Sequence, residues 1–292
     1  MHTIDLAYVG RGIHEELIAY VADQEGYYEE AGVHVAIHDG IHWKTERLRR
    51  GATIGLGRSL LSRLTDDIGW KMLTVNTHRP LFWFVGAADV TSMAGLRGRR
   101  LAVHARHTAP GCFARIVLRK HGLDPDRDLN CLTRDPGDYQ MDLRGLRDGS
   151  IDAAYVGSTL SPDQVAEEEG FHVLAWVGDH FQIPTVGVAV DPVHTKLDSP
   201  ALQALLQANQ RALRTIAERP ELAVDYIASF LNRLTRQEAQ QFYERYIGPY
   251  YTPSGQVDLD IARQAIAAVA AELGVAEVAA EDVYLPGTPV SE

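Results

Sequence analysis

Five short segments of the 292-residue chain combine glycines with side chains that bind small polar molecules. Most of them follow an apolar run typical of a buried strand, and two of them, residues 55–59 and 106–111, are singled out because they lie at the start of a predicted helix. Arg donates a fork of hydrogen bonds, Ser and Thr donate and accept, and Trp and Tyr stack on organic rings. Because backbone N–H groups at a helix start also favour negative charge, these segments predict recognition of a small organic anion.

Three of the segments lie in the first half of the chain, at residues 10–14, 39–43 and 55–59. The first has glycines that let a ligand approach the backbone, the second an indole, and the third N–H groups at a helix start. Their candidate ligand contacts are Arg11, Gly12, Trp43, Gly57, Arg58 and Ser59.

The other two segments are residues 106–111 and 155–159. In the first, Thr108 is predicted to cap a helix whose first turn contains Pro110. A third Arg of the predicted cleft, Arg106, precedes this cap. The candidate contacts in these two segments are His107, Thr108, Ala109, Tyr155, Gly157 and Ser158.

Other chemistries fit the sequence less well. The His34, His38 and His42 spacing suits a metal site on a helix, but a predicted strand and turn separate these residues, so we expect no metal and no cofactor. A G-x-S-x-G elbow is absent. Cys112, near His107 in the first turn of a predicted helix, is the candidate nucleophile because the helix dipole lowers a thiol pKa there.

Composition narrows the possible partners. The net charge of −11 argues against a nucleic-acid surface, which needs concentrated Lys and Arg. Two cysteines do not make a disulfide framework. The N-terminus runs directly into a predicted strand, so we expect either a cytoplasmic protein or a periplasmic or cell-surface protein whose signal peptide has been removed.

The order of elements predicts an α/β fold of two lobes, each a doubly wound sheet with helices on both faces. Strands are predicted at 3–9, 33–38, 52–56, 71–76, 80–87, 99–104, 129–133, 152–156, 172–176, 185–190 and 282–285, and helices at 13–25, 43–50, 58–66, 109–121, 138–148 and over 199–275. The chain is expected to cross between lobes near 87–91 and again near 180–186. Lobe 1 is then 1–88 plus 185–292, lobe 2 is 89–184, and the site lies in the cleft between them.

Four segments carry a resemblance to a known family. They are residues 22–33 (ADQEGYYEEAGV), 93–103 (MAGLRGRRLAV), 146–154 (LRDGSIDAA) and 217–224 with 254–258. In this order they resemble the nitrate, sulfonate and taurine solute-binding proteins of ABC transporters, and the related thiamine-pyrimidine synthases. The resemblance implies the type II periplasmic-binding-protein fold, a small-molecule anion as ligand, an ABC permease as partner and a monomer.

The same fold also implies an alternative, a cytoplasmic enzyme or a ligand sensor. The enzyme would be pyrimidine-synthase-like or desulfinase/decarboxylase-like. The synthases hold pyridoxal phosphate on an early Lys, whereas Lys44 and His42 come here only after the second predicted strand, and the family's Cys-rich segment is missing. The desulfinases use a Cys in the first lobe, and no Cys precedes Cys112. We therefore expect a binding protein without catalysis.

Overall fold

The computed structural model describes residues 1–10, 12–55, 58–133, 141–231 and 234–285, with the backbone alone for residues 58, 59, 141, 142 and 231. Its strands are β1 (His2–Tyr8), β2 (Val33–Asp39), β3 (Ala52–Ile54), β4 (Lys71–Met72), β5 (Phe82–Gly86), β6 (Arg100–Val103), β7 (Asn130–Thr133), β8 (Ala153–Gly157), β9 (His172–Trp176) and β10 (Val188–Val190).

The helices alternate with the strands up to residue 180 and then follow one another. They are α1 (Ile13–Gln24), α2 (Tyr27–Glu30), α3 (Thr45–Leu48), α4 (Arg58–Thr65), α5 (Ala109–Lys120), α6 (Met141–Asp148), α7 (Pro162–Glu169), α8 (Val177–His180), α9 (Pro200–Glu218), α10 (Pro220–Leu231), α11 (Arg236–Phe242), α12 (Leu259–Leu273) and α13 (Ala280–Val283). A 3-10 turn (Met93–Leu96) precedes β6, and a π-helical turn (Tyr243–Ile247) follows α11.

Two five-stranded sheets form the architecture, in the orders β2-β1-β3-β10-β4 and β7-β6-β8-β5-β9. In each sheet the first three strands are parallel, and the fourth, β10 or β5, runs antiparallel to its neighbours. The two antiparallel strands are the first that the chain forms after each crossing between sheets. This arrangement confirms the predicted α/β fold of two sheets flanked by helices.

The crossings differ in part from the sequence prediction. Residues 80–87 were expected in lobe 1, but β5 pairs with β8 and β9 in the second sheet, so the first crossing lies before residue 82 and not near 87–91. The physical reason is the fully buried run Phe82–Gly86, which fills an interior position of that sheet. The division into 1–88 plus 185–292 and 89–184 stays a prediction.

Several elements are shorter than predicted or were missed. The predicted strand 282–285 is wrong: Ala280–Val283 is a helical turn, with acidic residues at its start, and only Tyr284 bridges to Met72. The helix predicted at 43–50 is the single turn α3, and the helices α2, α7 and α8 were not predicted. For α7 the sequence does carry a signal, because Ser161 caps it and Pro162 follows.

The two crossing segments pair with each other and with a third segment from the C-terminal region. We call residues 75–78, 183–186 and 250–255 the crossover ladder. Its backbone bonds include Thr185 N–H to Thr77 O (2.9 Å), Asn76 N–H to Val186 O (2.7 Å) and Thr252 N–H to Asn76 O (2.8 Å). The ladder thus joins the two segments through which the chain passes from one sheet to the other.

The crossover ladder contains a strained backbone position. Val186 has a φ of 54°, a left-handed conformation that is rare for a β-branched residue. A Cβ at the next position, Gly187, would overlap the backbone oxygen of Thr74. Such strain persists only where the surrounding structure holds it, and it clusters at switch regions.

No helix in the described part of the chain is both long and apolar enough to cross a membrane.

Candidate functional site

The two sheets meet at the start of α1, where Gly12 and His14 touch Ser158 at the end of β8. The backbone N–H of Ile13 donates to Ser158 O (3.2 Å), and that of His14 donates to Ser158 Oγ (3.3 Å). Gly12, with φ 152°, allows this approach, because a Cβ there would lie 2.6 Å from Ser158 Oγ. The described residues thus close the space between the sheets at this point.

His14 is the central side chain of this contact. It is 1% exposed, and burial lowers its pKa to about 3, so the imidazole is neutral at pH 7. Its Nδ1 forms a short hydrogen bond with Ser158 Oγ. We assign the serine hydroxyl as the donor to Nδ1, and in this tautomer the imidazole proton lies on Nε2.

The Nε2 atom of His14 is buried and has no hydrogen-bond partner in the described structure. A buried donor without an acceptor costs about 1–3 kcal/mol, so such atoms are rare in native proteins. A ligand or an ordered water that accepts from Nε2–H would remove this cost. The site can therefore bind an acceptor atom, such as an oxygen of an acid group.

Aromatic rings surround the imidazole on the side of the second sheet. Phe82 contacts His14 edge-on with the ring centroids 5.5 Å apart, and it stacks on Tyr155 at 5.0 Å. His104 lies 5.7 Å from each of these two rings. Gly157, opposite Phe82 in the sheet register, leaves room for the Phe82 ring.

The predicted ligand residues are only partly brought together. Gly12, Tyr155, Gly157 and Ser158 converge on the His14 contact, although Tyr155 is fully buried within the ring cluster and does not lie in a loop. Their roles as ligand contacts stay predictions. Arg11 and Gly57 lie outside the described residues, as do the side chains of Arg58 and Ser59.

The segment at the start of α5 lies next to the ring cluster along the chain, since His104 precedes it by a few residues. Thr108 caps α5 as predicted, accepting from Gly111 N–H (3.2 Å). Both Thr108 and His107 are exposed, whereas Ala109 is buried. This segment is open to a solute that enters from solvent.

Trp43 lies elsewhere, beside β2. The guanidinium of Arg47 covers one face of the indole at 3.5 Å, and His38 lies 5.1 Å away on centroid distance. The half-buried indole also packs on a small apolar cluster around Leu48. In this structure Trp43 therefore makes packing and cation–π contacts.

Catalytic and metal chemistry find little support at the described residues. Burial raises the pKa of the Cys112 thiol to about 12, opposite to what a nucleophile needs. No three His, Cys, Asp or Glu side chains within the described ranges are placed to hold a metal ion. His14 and Ser158 form a dyad, but a serine nucleophile also needs a third group to orient the histidine, and Nε2 has no such partner in the described structure.

A concave region of about 490 Å³ lies between α7 and α11. Its charged residues are exposed or already paired: Asp163 accepts from Tyr246 Oη (2.9 Å) and lies 2.7 Å from Arg245. The contact around His14 is the better candidate because its polar atoms are deeply buried.

The sequence did not identify two features of the site. His14 was included in a candidate segment but not chosen as a ligand residue, and Phe82 was placed in the wrong sheet. Thr185 and Tyr251 of the crossover ladder also carried no sequence signal, because only the pairing of distant segments brings them beside Thr77.

Comparison with solved structures shows which fold this is. The Candida albicans CA3427 gene product, described as having the generic periplasmic binding protein fold, superposes with a TM-score of 0.75 at 14% identity, covering 100% of this chain and 99% of that one. The alkanesulfonate-binding protein SsuA from Xanthomonas axonopodis pv. citri, bound to MOPS, gives 0.74 at 12% identity, with 97% and 98% covered. The desulfurization enzyme DSZB gives 0.72 at 14% identity, with 98% and 97% covered.

These likenesses establish the periplasmic-binding-protein fold. No curated protein sequence matches the chain significantly. The sequence model described as "NMT1/THI5 like" matches residues 15–223, which include most of α1, both crossings and all of α9. The chain belongs to the NMT1/THI5-like family.

Proposed function

We propose that the protein is the solute-binding component of an ABC-type importer and captures a small organic anion between its two lobes. The single observation that carries this proposal is the buried, unpaired Nε2–H of His14 at the point where the two sheets meet. A donor held there in a dry environment is suited to an oxygen of a sulfonate or carboxylate. The similarity to SsuA, an alkanesulfonate-binding protein, supports the same ligand class.

Closure of the lobes would bring the two halves of the site together. Ser158 belongs to the second sheet's side and His14 to the first, so their hydrogen bonds form only when the lobes are close. Bending of the strained crossover ladder around Val186 would open the cleft. Arg11 and Arg58, together with Arg106 at the start of α5, would add positive charge to the binding of an anion.

The remaining parts of the proposal concern the partners. A permease would recognise the closed form, the protein would act as a monomer, and its place would be the periplasm or the cell surface. The periplasmic-binding-protein fold supports these assignments.

A thermal-shift screen tests the proposal. The probes are aliphatic and aromatic sulfonates, carboxylates, nitrate, pyrimidines and pyridoxal phosphate. Each compound is recovered afterwards, and its mass is measured by mass spectrometry to show whether it is unchanged. A compound at 100 times its Kd stabilises the protein by about 2.7 kcal/mol, a shift of a few degrees. Stabilisation by one anion class, recovered unchanged, supports the proposal, and no stabilisation by any probe contradicts it.

A desulfinase-like enzyme is the second candidate, favoured by the similarity to DSZB. Such an enzyme would require a nucleophile, and burial raises the pKa of the Cys112 thiol. A compound that the protein returns chemically altered in the same screen would establish this candidate in place of the binding protein.

A further inference from the structure

Two buried hydroxyl groups of the crossover ladder have no hydrogen-bond partner in the described structure. They are Oγ1 of Thr185, a fully buried residue, and the phenolic oxygen of Tyr251, a residue 6% exposed. Leaving such groups unpaired is costly, and two within one small ladder indicate that something else completes their hydrogen bonding.

The pairing of the ladder puts both hydroxyls on one face. Thr77 forms antiparallel bridges to Thr185 on one side and to Tyr251 on the other. Directly opposed residues of antiparallel strands project from the same face of a sheet, so the three side chains share that face. Thr77 itself is satisfied, since its hydroxyl donates to Tyr250 O (3.0 Å) and accepts from Arg79 N–H (3.1 Å).

The phenol of Tyr251 lies within electrostatic reach of the first turn of α1. Burial and, to a smaller extent, the charge of Glu15 in that turn raise the pKa of Tyr251. His14 is the residue next to Glu15 in the same turn, and its Nε2 is also unpaired. The ladder and the contact at Ser158 therefore border the same helix start.

Four other buried phenols have partners within hydrogen-bond distance: Tyr27 with Thr215 (2.8 Å), Tyr28 with Asn209 (2.6 Å), Tyr243 with Ile216 O (2.8 Å) and Tyr246 with Asp163 (2.9 Å). Tyr251 differs from these four, and it lies in the ladder through which the chain crosses between the sheets.

We propose that Thr185 and Tyr251 bind the solute directly, so that the crossover ladder is part of the ligand site and reads an uncharged polar group of the solute. The inference rests on the proposed function. Both hydroxyls can donate and accept, and neither offers a charge to balance a second ionised group, which burial would penalise. The solute is then an organic anion whose body carries a hydroxyl, an amide or a similar neutral group.

Matched pairs of probes test this inference: 2-hydroxyethanesulfonate against ethanesulfonate, lactate against propionate, and 4-hydroxybenzoate against benzoate. The wild-type protein should bind the hydroxylated member of at least one pair about tenfold more tightly. Thr185→Val and Tyr251→Phe, which remove one hydroxyl each at nearly constant shape, should remove that preference.

Tyr284→Phe is the matched control. Tyr284 also carries a buried phenol without a hydrogen-bond partner in the described structure, but it bridges to Met72 at the edge of the first sheet, so the preference should survive there. In the absence of solute, none of the three variants should melt at a lower temperature than the wild type, because each loses an unsatisfied group.

Three results would overturn the inference. They are a wild type without preference in any pair, a preference that survives in both ladder variants, and a clearly lower melting temperature of Tyr251→Phe, which would reveal a structural hydrogen bond. Binding of a probe without preference leaves the proposed function standing, whereas binding of none of the six probes or of the broader screen removes both.

Discussion

Acid should weaken solute binding, and His14 should be the cause. In the closed structure burial lowers the pKa of His14 from 6.5 to about 3. In an open cleft the imidazole would regain access to water, and with it a pKa near its ordinary value. The closed form favours the neutral imidazole. The full free-energy advantage of the closed form over the open form is therefore present above pH 6.5, and it decreases as the pH falls from 6.5 towards 3.

The size of the effect follows from this difference in pKa. At pH 5 the closed form should lose roughly 2 kcal/mol relative to the open form, which raises the apparent Kd about 30-fold compared with pH 7.5. The perturbation is His14→Gln, which keeps an amide able to bond Ser158 and does not titrate. Its Kd should change by less than about threefold over the same range.

Titration calorimetry at both pH values, with a sulfonate probe whose own charge is constant, measures the two dissociation constants. His78 also has a pKa lowered by burial, and its contribution cancels in the comparison of wild type with His14→Gln. Equal pH dependence of the two proteins would refute the reasoning, since His14 would then be accessible to water in the bound form.

Three further substitutions have defined outcomes. Ser158→Ala removes the two hydrogen bonds that reach His14 across the two sheets, and each contributes about 0.5–1.5 kcal/mol, so titration should give a Kd raised about 5- to 150-fold with little change in melting temperature. Gly187→Ala places a Cβ on the backbone oxygen of Thr74 and should lower the free energy of unfolding by more than about 2 kcal/mol in urea denaturation. Glu272→Gln weakens a buried ion pair between α12 and two arginines of α5, and the same assay should report a loss of about 1–3 kcal/mol.

Each of the three substitutions has an outcome that would contradict its prediction, and Glu272→Gln also has a matched control. The control is Glu281→Gln, which alters an exposed ion pair with Arg263 and should lower the free energy of unfolding by less than about 1 kcal/mol. An equally small loss for Glu272→Gln would show that burial of the Glu272 ion pair does not matter. Wild-type stability of Gly187→Ala would mean that the backbone there relaxes freely. An unchanged Kd for Ser158→Ala would mean that the lobes close without this contact.

Local signals in the sequence located most of the elements. The alternation or apolar content of β1, β2 and β8 and the Thr108 cap of α5 are properties of adjacent residues, which is why these elements were found near their observed bounds. The assignment of β5 to a sheet is not local. The run at 82–86 is compatible with either sheet, and only its pairing with β8 and β9 decides between them.

The candidate site divides in the same way. Gly12 and Ser158 were found because glycines and hydroxyls after strands are typical of ligand loops. Tyr251 and Thr185 were not, because their neighbour Thr77 is more than a hundred residues away from each. Trp43 was predicted to stack on a ligand, and in the structure Arg47, four residues on, covers its ring.

The most direct test of the central claim, that a solute binds between the lobes at His14, is NMR of the protein with 15N-labelled histidine side chains. Without solute, His14 should be neutral with its proton on Nε2 at pH 7, and its resonance is identified by its absence in His14→Gln. On addition of a compound found in the screen, the Nε2–H resonance should move downfield as it donates to an acceptor, while those of His121 and His180 at the far end of α5 stay in place. A His14 resonance unchanged at saturation would contradict the account and place the solute elsewhere.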